Sequence, residues 1–203
     1  MEIDNTYNYS DLFFFFRFKE YEVCEHRFLS HALLYAYSGR LMIETYGQRV
    51  LLEEKESAFI CKEAYTRITS LETEEPSRIA ILRFPDRFLR EFYFTTDKTK
   101  TMKINSGKRL FPLRRQEDIE SLFGSMLPYY GTGMQPTGKV LKLKIIEGIY
   151  ALLRKDDMFY SLLFGFAREG KTNIFDLLAE PPVLPFRRYK TDKITIDPHN
   201  KLN

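Results

Sequence analysis

Histidine and cysteine are scarce in this sequence: 203 residues hold three of the first and two of the second. Two cysteines, Cys24 and Cys61, make no disulfide framework. They read as small buried hydrophobes in a reducing cytoplasm. His26 and His31 lie five residues apart, which on one strand puts them on opposite faces. His199 sits near the C-terminal end, so no three-histidine metal site is available. No apolar run approaches the length of a membrane span. Residues 1–8 are polar and acidic, unlike a secretory leader. Net charge is only +3, so charge alone implies no strong affinity for nucleic acid. No G-x-S-x-G elbow supports a serine nucleophile. Gly170-Lys171-Thr172 matches the end of a phosphate-binding loop but lacks the upstream glycine and the preceding strand. The expectation is no catalytic residue, no metal and no cofactor.

Aromatic residues are abundant instead: 15% of the chain, 18 Phe and 13 Tyr, within 44% hydrophobic residues. That excludes wholesale disorder. A chain this long can bury roughly 70% of its unfolded surface. Residues 31–60, HALLYAYSGRLMIETYGQRVLLEEKESAFI, organise the rest. Ser38-Gly39 and Gly47-Gln48 break this stretch into three strand-like pieces. Short alternating segments joined by glycine turns predict consecutive antiparallel strands. Glu53-Glu54-Lys55-Glu56 is a charged turn before another short strand at 57–61.

Upstream, residues 1–9 read as a frayed end. DLFFFFRF, residues 11–18, is a continuous apolar strand that needs cover on both faces. Residues 20–28 alternate around Val23. Downstream, 67–71 and 78–84 continue the β pattern around a hydrophilic loop. Pro85-Asp86 opens a short helix carrying Phe88, Leu89 and Phe92 at helical spacing. Residues 95–108 read as a polar loop, and Leu110 to Leu113 as a piece that packs back on the strands.

From Arg115 the apolar period lengthens from two to 3.6. Residues 116–129 carry Ile119, Leu122, Phe123 and Met126 on one face. Residues 136–154 form the strongest helix, with Thr137 as N-cap. It has two adjacent apolar stripes: Leu141, Ile145, Ile149, Leu152 and Leu143, Ile146, Tyr150, Leu153. Burying a large side chain is worth about 1.5–3 kcal/mol, so one stripe is expected against the strands and the other against a partner subunit. Shorter helices are predicted at 156–166 and 171–180. After Pro181-Pro182 the pattern dissolves into a linker or tail, residues 181–203, whose Arg187, Arg188, Lys190 and Lys193 read as solvated.

The run H-x-L-x-Y-x-x-S-G-x-L, followed by a turn, a short strand and an F-I step, resembles the small cupin-type barrel of AraC/XylS-type transcription regulators. His31, Leu33, Tyr35, Ser38, Gly39, Leu41, Phe59 and Ile60 carry the resemblance. LRFPDRFLREFY and LKLKIIEGIYALL are similar to later parts of the same sensor domain, over roughly residues 10–180. The resemblance implies an α+β chain: an antiparallel cupin-like (double-stranded β-helix, jelly-roll) barrel at 10–113 with a short helix at 86–93, then a helical dimerisation subdomain at 115–180. It implies a sensor that binds a small effector or a regulatory protein, with Phe14, Phe16, His31, Leu33, Tyr35 and Phe59 as lining candidates. Leu143, Ile146, Tyr150 and Leu153 would form the interface of a homodimer. Where cupin enzymes place a late histidine this chain has Tyr65, and Lys55-Glu56 replaces their G-D step. DNA would be reached only through a helix-turn-helix half not present in these 203 residues, from a longer or a naturally shortened regulator. The alternatives are an interaction module that forms mixed dimers and, more remotely, a cupin enzyme.

Overall fold

The computed structural model describes residues 6–71, 76–95, 107–168 and 183–191. Its strands are β1 (Thr6–Tyr9), β2 (Phe13–Phe18), β3 (Glu22–Phe28), β4 (His31–Ser38), β5 (Leu41–Thr45), β6 (Gln48–Leu52), β7 (Ser57–Ile60), β8 (Ala64–Ser70), β9 (Ser77–Phe84), β10 (Leu110–Leu113) and β11 (Arg187–Lys190). Its helices are α1 (Asp86–Thr95), α2 (Glu117–Gly124), α3 (Gly138–Lys155) and α4 (Met158–Leu163). The strands form two antiparallel sheets, ordered β1-β2-β9-β4-β7-β10 and β11-β3-β8-β5-β6. The chain is therefore α+β and mostly antiparallel sheet.

Two apolar cores follow from this layering. One lies between the sheets and takes Phe14, Phe16, Phe18, Cys24, Phe28, Leu34, Ile43, Ile68 and Ile81. The other lies between the outer face of the six-stranded sheet and the helices, and takes Phe13, Phe15, Leu33, Tyr35, Phe59, Phe84, Phe123, Ile145, Ile149 and Phe159. β2 and β4 are buried on both faces, which is why FFFFRF and HALLYAY show no polar alternation. The five-stranded sheet has one wet face, so β5 and β6 alternate.

Gly39 makes one tight corner possible. Its φ is +82°, and a Cβ there would lie 2.7 Å from the Ser77 Cα. Gly148 serves α3: a Cβ would lie 3.0–3.2 Å from Leu82 and Phe84, so the helix rides directly on β9. Thr137 caps α3 as expected, accepting from the Val140 N–H at 3.3 Å.

Among the described residues the two sheets are not closed into one barrel. Side chains bridge both seams where backbone pairing would otherwise run. At one seam the Gln48 amide oxygen accepts from the Arg109 and Leu110 N–H groups at 2.7 and 3.2 Å, and its nitrogen donates to the Leu110 carbonyl at 3.3 Å. A glutamine amide carries a donor and an acceptor, so it substitutes for a peptide unit. At the other seam Arg188 pairs with Glu22 at 2.8 Å, donates to the Arg17 carbonyl at 2.6 Å and lies 5.2 Å from the Phe18 ring centroid.

Several local expectations change. Residues 6–9 are a strand paired with β2, not a frayed end. Ser10 and Asp11 both take positive φ, 53° and 54°, in the turn closed by the Leu12 N–H on the Tyr9 carbonyl at 3.0 Å. The segment expected as a tail contributes β11, paired antiparallel with β3 from Arg187 opposite Glu25 to Lys190 opposite Glu22. The helix expected over 116–129 stops at Gly124 and continues as a 3-10 turn at Leu127–Tyr129, where Pro128 removes a donor. His26 and His31 occupy different strands, β3 and β4. The helix expected at 171–180, and His199, lie outside the described residues.

Candidate functional site

The six residues expected to line one cavity are divided between the two cores. Phe14 and Phe16 point between the sheets. Leu33, Tyr35 and Phe59 point at the helices, and the His31 ring stacks on Phe59 with centroids 5.4 Å apart. His31 accepts the Lys62 N–H at Nδ1 over 3.2 Å. Burial holds its pKa down at about 3, with Lys62 and Arg109 lowering it further against the opposing pull of Asp86. It is a neutral acceptor that pins the turn after β7. Tyr35 stacks on Phe123 at 4.9 Å, which ties β4 to α2.

Between the sheets, the mouth of the sandwich holds a second cluster. Its members are Phe14, Phe16, His26 and Phe28. Phe186 fills the mouth. Its ring stacks on the His26 imidazole at 3.8 Å and 14°, and lies 4.8 Å from Phe16 and 5.4 Å from Phe14. The crevice left beside it, edged by Ser30, Arg83 and Leu184, has about 10 Å³ of free space, room for roughly one water. Burial pushes the His26 pKa down to about 4, aided by the Arg83 charge, while a hydrogen bond to the Pro185 carbonyl opposes the shift. Both buried thiols, Cys24 and Cys61, are pushed up to about 12 by burial, so neither is a ready nucleophile. Tyr65, at the position of the cupin late histidine, is exposed and donates to Glu25 at 2.7 Å.

The outer face of α3 is the other candidate surface. Leu141, Ile145, Ile149 and Leu152 are buried against the sheet, so this stripe faces inward. Leu143, Ile146 and Tyr150 are 63%, 37% and 55% exposed. Leu153 is half-buried against the helical core. Tyr150 leans edge-on to Phe92 of α1 at 5.2 Å.

The model of the ExsA N-terminal regulatory domain family matches residues 31–161, well over half the chain. The chain belongs to this family. The match runs from β4 to α4 and so contains the sheet-to-helix core and the α3 surface. An apo point variant of ToxT from Vibrio cholerae strain SCE256 is similar in structure, with TM-score 0.54 and 12% identity over 74% of this chain and 57% of that one. Wild-type ToxT of the same strain, bound to an unsaturated fatty acid, gives TM-score 0.53 and 14% identity over 82% of this chain and 71% of that one. At such identity the likeness is one of fold. A sequence comparison with curated proteins finds no match. The family model makes this chain an ExsA-type N-terminal regulatory domain, and the ToxT likeness adds the fold alone. No helix among the described residues is long and apolar enough to cross a membrane.

Proposed function

We propose that this chain is the sensing and dimerisation half of an AraC-type transcription regulator in the cytoplasm. The sandwich, residues 10–113, works as the cupin-type receiver. The helices of 115–180 present a dimer interface built from Leu143, Ile146, Tyr150 and Leu153. DNA is reached through a helix-turn-helix domain outside these residues. The effector is a small molecule or a regulatory protein. Phe14 and Phe16 are the lining residues for entry between the sheets. His31, Leu33, Tyr35 and Phe59 belong to the core through which the signal reaches the helices. The ToxT structure with a bound unsaturated fatty acid supports a small-molecule reading for this fold.

The observation that carries the dimer is the unburied stripe on α3. Three large apolar side chains in one row stay wet beside a stripe that is wholly buried. At about 1.5–3 kcal/mol per large side chain buried, covering them with a second copy is strongly favourable. Ile146→Asp should convert a dimer into a soluble monomer in sedimentation velocity runs. A wild-type chain that is already monomeric at high micromolar concentration refutes the interface. Mixed dimers with full-length relatives are the second reading, because the same stripe would serve them; a pull-down with such a relative separates the two.

A further inference from the structure

The inner face of the five-stranded sheet is mostly apolar, and Ser70 on it is paired with Ser77 at 3.0 Å, but one row is polar and unpaired. Cys24, Phe28, Ile68 and Ile43 face the core, but His26, Thr66 and Thr45 interrupt them on β3, β8 and β5. His26 sits opposite Thr66 in the β3–β8 ladder. The β5–β8 register, with Glu44 opposite Arg67, sets Thr45 beside Thr66. All three side chains are more than nine-tenths buried. His26 Nδ1, Thr66 Oγ1 and Thr45 Oγ1 have no hydrogen-bond partner among the described residues. Buried polar groups are nearly always paired, so three together point to a ligand that pairs them.

Phe186 stands at the end of this row, stacked on His26. On its C-terminal side it is anchored by β11 on the edge of β3, and on its N-terminal side Val183 packs on the same core. We propose that the row is a binding site for a small uncharged ring compound carrying a hydroxyl group, and that Phe186 is its displaceable plug, so that occupancy lifts β11 from β3. This rests on the reading of the domain as an effector sensor and names the chemistry and the moving part.

The ligand class follows from the walls. The space that Phe186 occupies, among Phe14, Phe16, Phe28 and the imidazole, is that of one six-membered ring. The imidazole hydrogen-bonds the Pro185 backbone while Nδ1 has no partner; with the proton on the other ring nitrogen, Nδ1 is an acceptor, and threonine hydroxyls both donate and accept. A hydroxyl matches the neighbouring pair, donating to His26 Nδ1 and accepting from Thr66 one strand away. A carboxylate fits worse, because its charge would be desolvated among apolar rings.

The test uses the full chain with phenol and toluene as probes. Phe186→Ala should bind phenol about tenfold more tightly than wild type, because a site closed by its own plug is competent only part of the time. It should also prefer phenol to toluene by about tenfold, and adding Thr66→Val should erase that preference. In wild type, phenol should speed tryptic cleavage after Arg187 and Arg188 several-fold, read by mass spectrometry. Phe186→Leu, with a smaller plug, repeats the comparison if the alanine variant folds poorly. Equal binding of phenol and toluene, no gain on removing the plug, or unchanged cleavage each overturns the proposal. If it fails while another metabolite raises the wild-type melting temperature, the sensor reading stands and only the plug is lost.

Discussion

Replacing Arg188 with alanine tests whether a side chain holds one seam of the sandwich. Arg188 is 18% and Glu22 14% exposed at the side chain, so their 2.8 Å pair is largely shielded from water. The guanidinium also donates to the Arg17 carbonyl at 2.6 Å and covers Phe18. A hydrogen bond to a charged group is worth about 1.5–3 kcal/mol. The ring contact adds about 0.5–1 kcal/mol. Removing one partner also leaves the largely buried Glu22 carboxylate without a counter-charge, held by the Lys19 N–H at 2.8 Å. These terms overlap, so the expected loss for Arg188→Ala is about 2–4 kcal/mol by urea denaturation. That corresponds to a fall of roughly 5–10 °C in melting temperature for a chain of this size. Arg188→Lys should recover less than half, because one ammonium cannot hold the carboxylate and the carbonyl in a fork. Hydrogen exchange should show the β3 edge, Val23 to Glu25, opening first. A variant within about 0.5 kcal/mol of wild type, with β3 amides equally protected, refutes the seam.

The other seam gives a parallel expectation. Gln48→Ala orphans the Arg109 and Leu110 N–H groups and should cost about 1–3 kcal/mol in the same denaturation assay. Gly148→Leu should lift α3 from β9, since Leu82 and Phe84 already stand at contact distance; loss of near-ultraviolet circular dichroism with helix content retained is the readout, and overpacking of this kind costs about 1–3 kcal/mol. The buried imidazoles predict acid sensitivity. His26 and His31 have folded pKa values of about 4 and about 3, below the ordinary 6.5, so between pH 6.5 and about 4 the unfolded chain binds more protons. Stability is therefore full above pH 6.5 and falls as pH drops through that window, by up to about 1.4 kcal/mol per pH unit for each ring. His31→Gln should halve the slope of unfolding free energy against pH; an unchanged slope rejects this account.

Strand and helix types were legible because their periods differ. The alternating β5 and β6, the glycine corners and the two stripes of α3 all fall where the pattern of residues puts them. The polar row of the five-stranded sheet left a readable trace as well: in A-Y-T-R-I-T-S the inward register contains Thr66 where Ala64 and Ile68 lead one to expect an apolar residue. β11 left none. Its strand character comes from the free edge of β3, and VLPFRRYK looks like any proline-broken tail until that edge is available to it.

By itself, then, the amino-acid order determined the kinds of element, their approximate limits and the inward stripe of α3, because each depends on spacing within one segment. Tertiary structure decided which side of the six-stranded sheet each aromatic residue serves. A strand covered on both faces is apolar at every position, so its period carries no information on direction. Only pairing with neighbouring strands separates Phe14 and Phe16 from Leu33, Tyr35 and Phe59, and only folding brings Phe186 onto His26 from 160 positions away along the chain.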